Sequence, residues 1–338
     1  MITFEALNQL ASTPQEMMWL RERMETLSVK ESLILSAALM GKPTCDARGV
    51  INIFQSMPDY EVCYPAGSYE ALGRFCLRYD AQLPQELGDY IDLEQLGKNY
   101  EDKHPGVFIG NCYVEYSYQG PATRYHGTNL AACVDDGWSV KVKLASERCP
   151  DGVWLRLPDY EDANDNRPDE MRITLDELGV KGVDECTLLE ARCILPEVGD
   201  LTEQYDRASD LVYDGQNLGF VLDERGQGMQ NFMELYAGAL EYEDCRTLAE
   251  ALDIAENLNR YEVVPADGLR EYAEQELKKQ GVTLPESVTA SFRYEEYAAN
   301  LLEQRGFIPT RDESVYVGKE GQTFSQNLNR LTNGMSMK

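Results

Sequence analysis

The chain has 338 residues, of which 59 are acidic and 31 basic, so its formal net charge is −28. Hydrophobic residues make up 43% of the sequence, which is enough to build cores and excludes a chain that is disordered throughout. A charge of this sign repels nucleic acid and anionic membranes, and it favours a partner with a basic surface.

The negative charge is concentrated in one part of the sequence. Residues 151–300 hold 35 acidic and 13 basic residues, whereas residues 1–150 hold 20 and 13. Nine cysteines occur without a CxxC pair, and the N-terminus lacks the basic and apolar regions of a signal peptide. No window has the roughly 18 apolar residues of a membrane span. We therefore expect a cytoplasmic protein with reduced thiols.

The first region in chain order, residues 1–57, is predicted to be helical because apolar residues recur there at helical spacing. Ser28 and Glu31 have the spacing of a capping box, which predicts a helix N-terminus at that point. The sequence Gly41-Lys42-Pro43 is predicted to end this helix.

A block that begins at Tyr60 recurs about 200 residues later. The first copy has the pattern of a strand, two helices and a second strand. The ordered matches are Tyr60-Glu61-Val62 with Tyr261-Glu262-Val263, Pro65 with Pro265, Leu83-Pro84 with Leu284-Pro285, Glu94 with Glu295, and Tyr113-Val114 with Tyr316-Val317. We therefore predict the duplication of a domain of about 110 residues, an ordinary domain size.

Between the two copies, alternating or apolar segments at 138–144, 152–157 and around Cys193 predict three strands, and 175–178 predicts a short helix. The predicted fold class is α+β, an elongated chain of small α+β and helical domains with one domain duplicated. The predicted domains are an N-terminal helical and α+β domain at 1–118, an acidic α+β domain at 121–210, a helical domain at 211–258 and a C-terminal α+β domain at 259–338.

Two predicted helices carry carboxylates on the face that their apolar residues leave exposed. The first starts near Leu201, with Asp200 as its N-cap, and the second covers 246–258. Like charges three or four residues apart cost roughly a few tenths of a kcal/mol per pair, so stability alone does not select such a face. The residues predicted to form a binding surface are Asp159, Glu161, Asp162, Asp165, Asp169 and Glu170 in a loop, Glu203, Asp206 and Asp210 on the first helix, and Glu250, Asp253 and Glu256 on the second.

No sequence signature indicates catalysis, a cofactor or a metal. The segment DANDN resembles a calcium loop, but Arg167 stands where the turn glycine belongs and Ile173 where the closing glutamate belongs. Neither His104 nor His126 is coupled by pattern to a nucleophile or a metal site. Without a basic groove, direct nucleic-acid binding is also excluded. We expect a protein that is not an enzyme.

The sequence resembles the ArdA antirestriction proteins of conjugative plasmids and transposons over residues 137–318. Three segments in the family's order carry the resemblance: GVWLRLP with its acidic continuation, the segment ending ILPEVGDLTEQYD, and a terminal block that is more recognisable in the first copy as LPQELGDYIDLEQLGKNYEDKHPGVFIGNCYVEY. The resemblance implies an elongated, acidic, three-domain protein, usually a dimer, that imitates bent B-form DNA. Such proteins occupy the DNA groove of type I restriction–modification enzymes.

Residues 1–118 depart from this family pattern because they look like an extra copy of the middle and C-terminal domains, residues 211–318. Both a homodimer and a pseudo-dimer within one chain therefore remain open. The expected function is a DNA mimic that protects mobile-element DNA from a type I restriction–modification enzyme or another DNA-binding defence protein. Two alternatives remain. One is an acidic scaffold or adaptor for another basic DNA-processing protein, and the other is an enzyme with an unrecognised Cys/His site.

Overall fold

The computed structural model describes residues 10–41, 46–116, 122–159, 170–226 and 231–320. Three small antiparallel sheets alternate with helices, so the fold is α+β, as the sequence predicts. The chain divides into two compact units, Met1–Ile194 with Thr202–Gly219 and Leu195–Leu201 with Phe220–Lys338. The first unit therefore includes both the predicted N-terminal domain and most of the predicted acidic α+β domain.

From residue 10 onward, the described part of the first unit starts with three helices, α1 (Pro14–Glu25), α2 (Val29–Gly41) and α3 (Ala47–Gln55). Ser28 and Glu31 form the predicted capping box at the start of α2. The backbone N–H of Ser28 donates to Glu31 Oε2 at 3.1 Å, and the N–H of Glu31 donates to Ser28 Oγ at 3.2 Å. The end of α2 at residue 41 also agrees with the sequence prediction.

A sheet follows in the order β1-β3-β2, formed by β1 (Val62–Cys63), β2 (Gly106–Ile109) and β3 (Cys112–Glu115). Between β1 and β2 the chain forms α4 (Tyr69–Phe75) and α5 (Leu93–Lys103). Glycines bring these helices together, because a Cβ on Gly73 would lie 1.9 Å from the backbone oxygen of α5's first residue. A larger residue there would force the two helices apart.

The second sheet of this unit has the order β5-β4-β6, formed by β4 (Val140–Ala145), β5 (Val153–Leu157) and β6 (Thr187–Cys193). Its helix α6 (Glu170–Leu178) packs against β5 and α2. Strand β6 lies several residues before the predicted position around Cys193, and α6 begins five residues before the predicted helix at 175.

The helix predicted from about Leu201 is interrupted. The structure has α7 (Leu201–Gln204) and α8 (Ala208–Gly226), and residues 205–207 between them are not helical. Tyr205, in this interruption, donates its hydroxyl to Asp214 Oδ2 at 2.6 Å. The two parts of the predicted helix therefore do not share one continuous face.

The second unit repeats the organisation of the first copy. Its elements are α9 (Phe232–Tyr242), α10 (Leu248–Glu256), β7 (Tyr261–Pro265), α11 (Leu269–Lys279), α12 (Glu286–Thr289), α13 (Tyr294–Gln304), β8 (Ile308–Pro309) and β9 (Val315–Lys319). The sheet order is β7-β9-β8, which matches β1-β3-β2 strand for strand.

The two copies also agree in strand register. Val62 pairs with Val114 in the first sheet, and Val263 pairs with Val317 in the second. These are residues that the sequence comparison aligns, so the ordered identities fall at equivalent structural positions. The agreement is what a duplicated domain requires, and the duplication itself stays a prediction.

Candidate functional site

Helix α10 presents the acidic face that the sequence predicts. Leu248, Ala251, Ile254 and Ala255 are buried, while Glu250, Asp253 and Glu256 are exposed. The helix begins at a capping box in which Thr247 and Glu250 bond each other's backbone N–H groups. The period of 3.6 residues thus separates an apolar from an acidic side, and the predicted positions of these three carboxylates are confirmed.

The three carboxylates of α10 differ in the partners that the described residues give them. Glu250 Oε2 accepts from the backbone N–H of Arg246 at 2.9 Å, and this bond holds the pKa of Glu250 below its ordinary value. Asp253 Oδ1 accepts from Asn257 Nδ2 at 3.2 Å. Within residues 231–320 and the other described ranges, no ion pair joins Asp253 or Glu256 to a basic side chain. Their charge is therefore open to a partner.

The carboxylates of Glu203, Asp206 and Asp210 are exposed, as predicted, but the helix carrying them is not continuous. Glu203 lies on α7, Asp206 in the interruption and Asp210 in the first turn of α8. The predicted stripe at spacings of three and four is therefore wrong for this group. In the described part of the chain none of the three forms an ion pair, whereas the neighbouring Arg207 pairs with Asp184 at 2.7 Å.

The carboxylates of Asp159 and Glu170 both accept hydrogen bonds from backbone N–H groups of the first unit. The carboxylate of Asp159 caps α6, accepting from the backbone N–H of Glu170 at 3.1 Å and of Met171 at 2.7 Å. Glu170 is only 8% exposed, and its Oε1 accepts from the backbone N–H of Arg156 at 3.1 Å. Because a buried side chain cannot contact a partner, we remove Glu170 from the predicted binding surface. The remaining loop positions, Glu161, Asp162, Asp165 and Asp169, and the DANDN segment lie outside the described residues.

The first unit contains a charge cluster that sequence patterns did not indicate, formed by Arg23, Glu31, Asp135, Lys141 and Arg156. The Glu31 carboxylate accepts hydrogen bonds from two guanidinium groups, from Arg23 Nη1 at 3.3 Å and from Arg156 Nη1 at 2.5 Å. Asp135 lies 3.3 Å from Arg23 Nε and 3.1 Å from Arg156 Nη1, and it also contacts the buried Lys141 ammonium. These contacts join α1 and α2 to strands β4 and β5.

A cleft of about 660 Å³ opens beside this charge cluster and is lined by both signs of charge. Arg23 and Arg156 on its wall are already paired with Glu31 and Asp135. Arg124, at the same wall, lies 3.9 Å from Asp59. Lys30 also lines the cleft, but the six acidic residues of the lining outnumber its four cations. The cleft therefore has no excess positive charge for an anionic ligand, and we assign the charge cluster a structural role.

His104 and the thiol of Cys63 lie near each other in the first unit, and both have neighbours that fix their surroundings. His104 Nδ1 lies 3.2 Å from Glu115 Oε2, and the His104 ring stacks on Tyr100 at 4.5 Å. The nearby Cys63 is fully buried, and this burial raises the pKa of its thiol far above the ordinary value, so a thiolate nucleophile does not form there. Among the described residues, no group of three His, Cys, Asp or Glu side chains could hold a metal ion.

No family model, curated protein or solved structure matches the chain. Of the helices in the described ranges, none combines the length and the apolar composition needed to cross a bilayer.

Glu170 makes the stability of the first unit dependent on pH. Burial, followed by the nearby Glu31 carboxylate, raises the pKa of Glu170 from 4.5 to about 7, while Ser28 and Lys30 favour its ionised form and Asp159 opposes it. The folded state therefore keeps a proton that the unfolded chain releases. The free energy of unfolding of the first unit should therefore fall by about 3 kcal/mol as pH rises from about 4.5 through 7.

We expect Glu170→Gln to remove most of this loss, because glutamine does not ionise. Urea unfolding at pH 5 and pH 8 measures the change in the free energy of unfolding. The fluorescence of Trp19, Trp138 and Trp154, which all lie in the first unit, reports the transition. Glu177→Gln, an exposed position on the same helix, should keep the wild-type pH slope. Equal slopes in the two variants would contradict this assignment.

Proposed function

We propose that this protein is an antirestriction protein of the ArdA type, a DNA mimic whose carboxylates occupy the DNA-binding groove of a type I restriction–modification enzyme. The observation that supports the proposal most directly is the acidic face of α10. Asp253 and Glu256 there are exposed and have no basic partner among the described residues, although salt bridges occur elsewhere in the same unit.

The charge density of this face is comparable with that of a DNA strand. Residues three apart on a helix rise by about 4.5 Å, so Glu250, Asp253 and Glu256 give one charge per that length. One strand of duplex DNA has one charge per about 3.4 Å of axis. A basic groove shaped for phosphates would pair with such a row at a similar repeat distance.

The mechanism follows from these charges. Lysines and arginines in the groove of a DNA-binding enzyme would release bound anions on contact with the carboxylates, which gives fast, salt-sensitive association. The acidic side chains present no base edges, so they would occupy only the contacts that position the phosphate backbone. Inhibition is then independent of the sequence that the enzyme recognises.

The proposal is tested by titrating the protein into a type I restriction–modification assay. We expect inhibition that an unmodified duplex oligonucleotide relieves and that weakens steeply as salt is raised. Poly-glutamate at the same charge concentration is the control for a simple polyanion effect. If a basic protein from another DNA-processing class binds instead, and duplex DNA does not displace it, the protein is an adaptor and the mimic proposal fails.

A further inference from the structure

Helices α3 and α10 occupy the same position in the two structural copies. Each has nine residues, each begins after a side-chain N-cap, Asp46 or Thr247, and each is followed by a 3₁₀ turn that leads into the first strand of its sheet. Since 247 − 46 = 201, each residue of α3 corresponds to the residue of α10 that lies 201 positions later. Asn52 thus corresponds to Asp253.

In the first copy this side of the helix binds residues 122–135, a segment that is irregular except for a 3₁₀ turn at Leu130–Ala132. Asn52 Oδ1 accepts from the backbone N–H groups of Arg124 and Tyr125, both at 2.8 Å. Its Nδ2 donates to the carbonyl oxygen of Tyr125 at 3.1 Å. Asn52 is left 7% exposed, so the bound segment excludes most water from it.

Two further residues on the same side of α3 extend this binding along the segment. Ser56 Oγ accepts from the backbone N–H of Ala122 at 2.9 Å. Gln55 Nε2 donates to the carbonyl oxygen of Val134 at 3.1 Å. All of these bonds go to backbone groups of the segment, so this side of the helix recognises a peptide chain rather than particular side chains.

In the second copy the corresponding side of α10, which we call the α10 face, consists of Asp253, Glu256 and Asn257. Asp253 replaces Asn52 and keeps the oxygen that accepts from two backbone N–H groups, but it has no N–H to donate. Glu256 replaces Gln55 and likewise loses its donor. Asn52 and Gln55 donate to carbonyl groups of the bound segment, whereas Asp253 and Glu256 can only accept. The partner of α10 must therefore supply the donors, and a Lys or Arg side chain is the strongest donor to a carboxylate.

We propose that the α10 face binds an irregular backbone segment of a partner protein, with two successive free N–H groups directed at Asp253 and a Lys or Arg side chain at Glu256. This inference rests on the proposed function for the basic character of the partner, and it adds the part of the partner that α10 contacts. The exposure of Asp253 and Glu256 and their negative charge both fit such an occupant.

A labelled synthetic peptide tests the inference with the full-length protein. The peptide has the sequence of residues 122–135 with Cys133→Ser, Val134→Lys and Asp135→Asn, and a second version is N-methylated at the amides of residues 124 and 125. N-methylation removes both N–H donors without changing the charge. We expect saturable binding of the first peptide by fluorescence anisotropy and at least ~10-fold weaker binding of the second, the effect of two lost hydrogen bonds.

Variants of the protein locate the binding. Asp253→Ala should abolish it, Asp253→Asn should retain it because an acceptor remains, and Glu303→Gln, at an exposed glutamate on α13, should leave it unchanged. Circular dichroism confirms that each variant is folded.

Three results would overturn the inference: equal binding of both peptides, binding that Asp253→Ala does not affect, or a dimer in solution that Asp253→Ala dissociates. The first would mean attraction by charge alone, and the last would make a second copy of this chain the occupant. Equal binding of both peptides leaves the DNA-mimic proposal intact. Failure to inhibit a restriction enzyme, with selective peptide binding preserved, removes the mimic proposal alone.

Discussion

Asp253→Lys combined with Glu256→Lys is expected to weaken inhibition of a type I restriction–modification enzyme by about 100-fold. Each exposed carboxylate that pairs with a basic side chain of the enzyme contributes about 1.5 kcal/mol or more, so two lost pairs amount to about 3 kcal/mol. Glu250 is left unchanged because its carboxylate bonds the N-terminal backbone of α10, and its replacement would affect the helix itself.

The salt dependence gives a second measurement on the same variant. Each charge contact that is lost should lower the slope of log affinity against log salt, so the double variant should show a shallower slope than the wild type. Both quantities come from inhibition curves recorded at several salt concentrations. A purely structural effect of the substitutions would lower affinity without changing this slope.

A matched control separates the α10 face from the overall charge of the protein. Glu271→Lys combined with Glu303→Lys changes the net charge by the same amount at two exposed glutamates on α11 and α13. This control should retain inhibition within about threefold, because distant exposed charges are screened within about 10 Å at 0.1 M ionic strength. If both double variants lose inhibition equally, net charge and not the α10 face is responsible. If neither loses it, the mimic proposal is wrong for α10.

The acidic face of α10 was predictable because its determinants are local. An N-cap, a glutamate three residues later and apolar residues at helical spacing all lie between 247 and 256, and the structure uses each of them. The prediction for 201–212 relied on the same kinds of signal, yet the helix is interrupted at 205–207. No proline or glycine occurs between 201 and 212, so the sequence contains no helix-breaking residue that marks the interruption. Tyr205, within the interruption, donates its hydroxyl to Asp214.

Non-local contacts explain the other differences. Glu31 was recognised as a capping residue, a role that depends on Ser28 three residues earlier. Its pairing with Arg156, 125 residues away, has no local signal. Glu170 was assigned to an acidic loop because acidic residues precede it. In the structure it is the first residue of α6, and its side chain is buried near the Glu31 carboxylate. The repeat was recognisable because ordered identities do not depend on tertiary contacts.

Glu31→Ala is expected to lower the free energy of unfolding of the first unit by about 3–5 kcal/mol, because it removes one partner from a buried ion pair. Arg23 and Arg156 would then face each other with only Asp135 left between them. Glu16→Ala is the matched control. Glu16 has the same place in the capping box of α1 and a similarly small exposed fraction. Its carboxylate also accepts from the Tyr125 hydroxyl, but it forms no ion pair among the described residues. Glu16→Ala should lower the free energy of unfolding by about 1 kcal/mol.

Urea unfolding followed by tryptophan fluorescence measures both variants, and acid provides an independent check. Arg23 and Arg156 overcome the effect of burial and lower the pKa of Glu31 to about 2, from an ordinary value of 4.5. The contribution of Glu31 to stability is therefore fully present above about pH 4.5 and disappears as pH falls through 2. The difference between wild type and Glu31→Ala should shrink over that interval. A loss no greater than that of Glu16→Ala at neutral pH would show that the charge cluster does not hold the helices to the sheet.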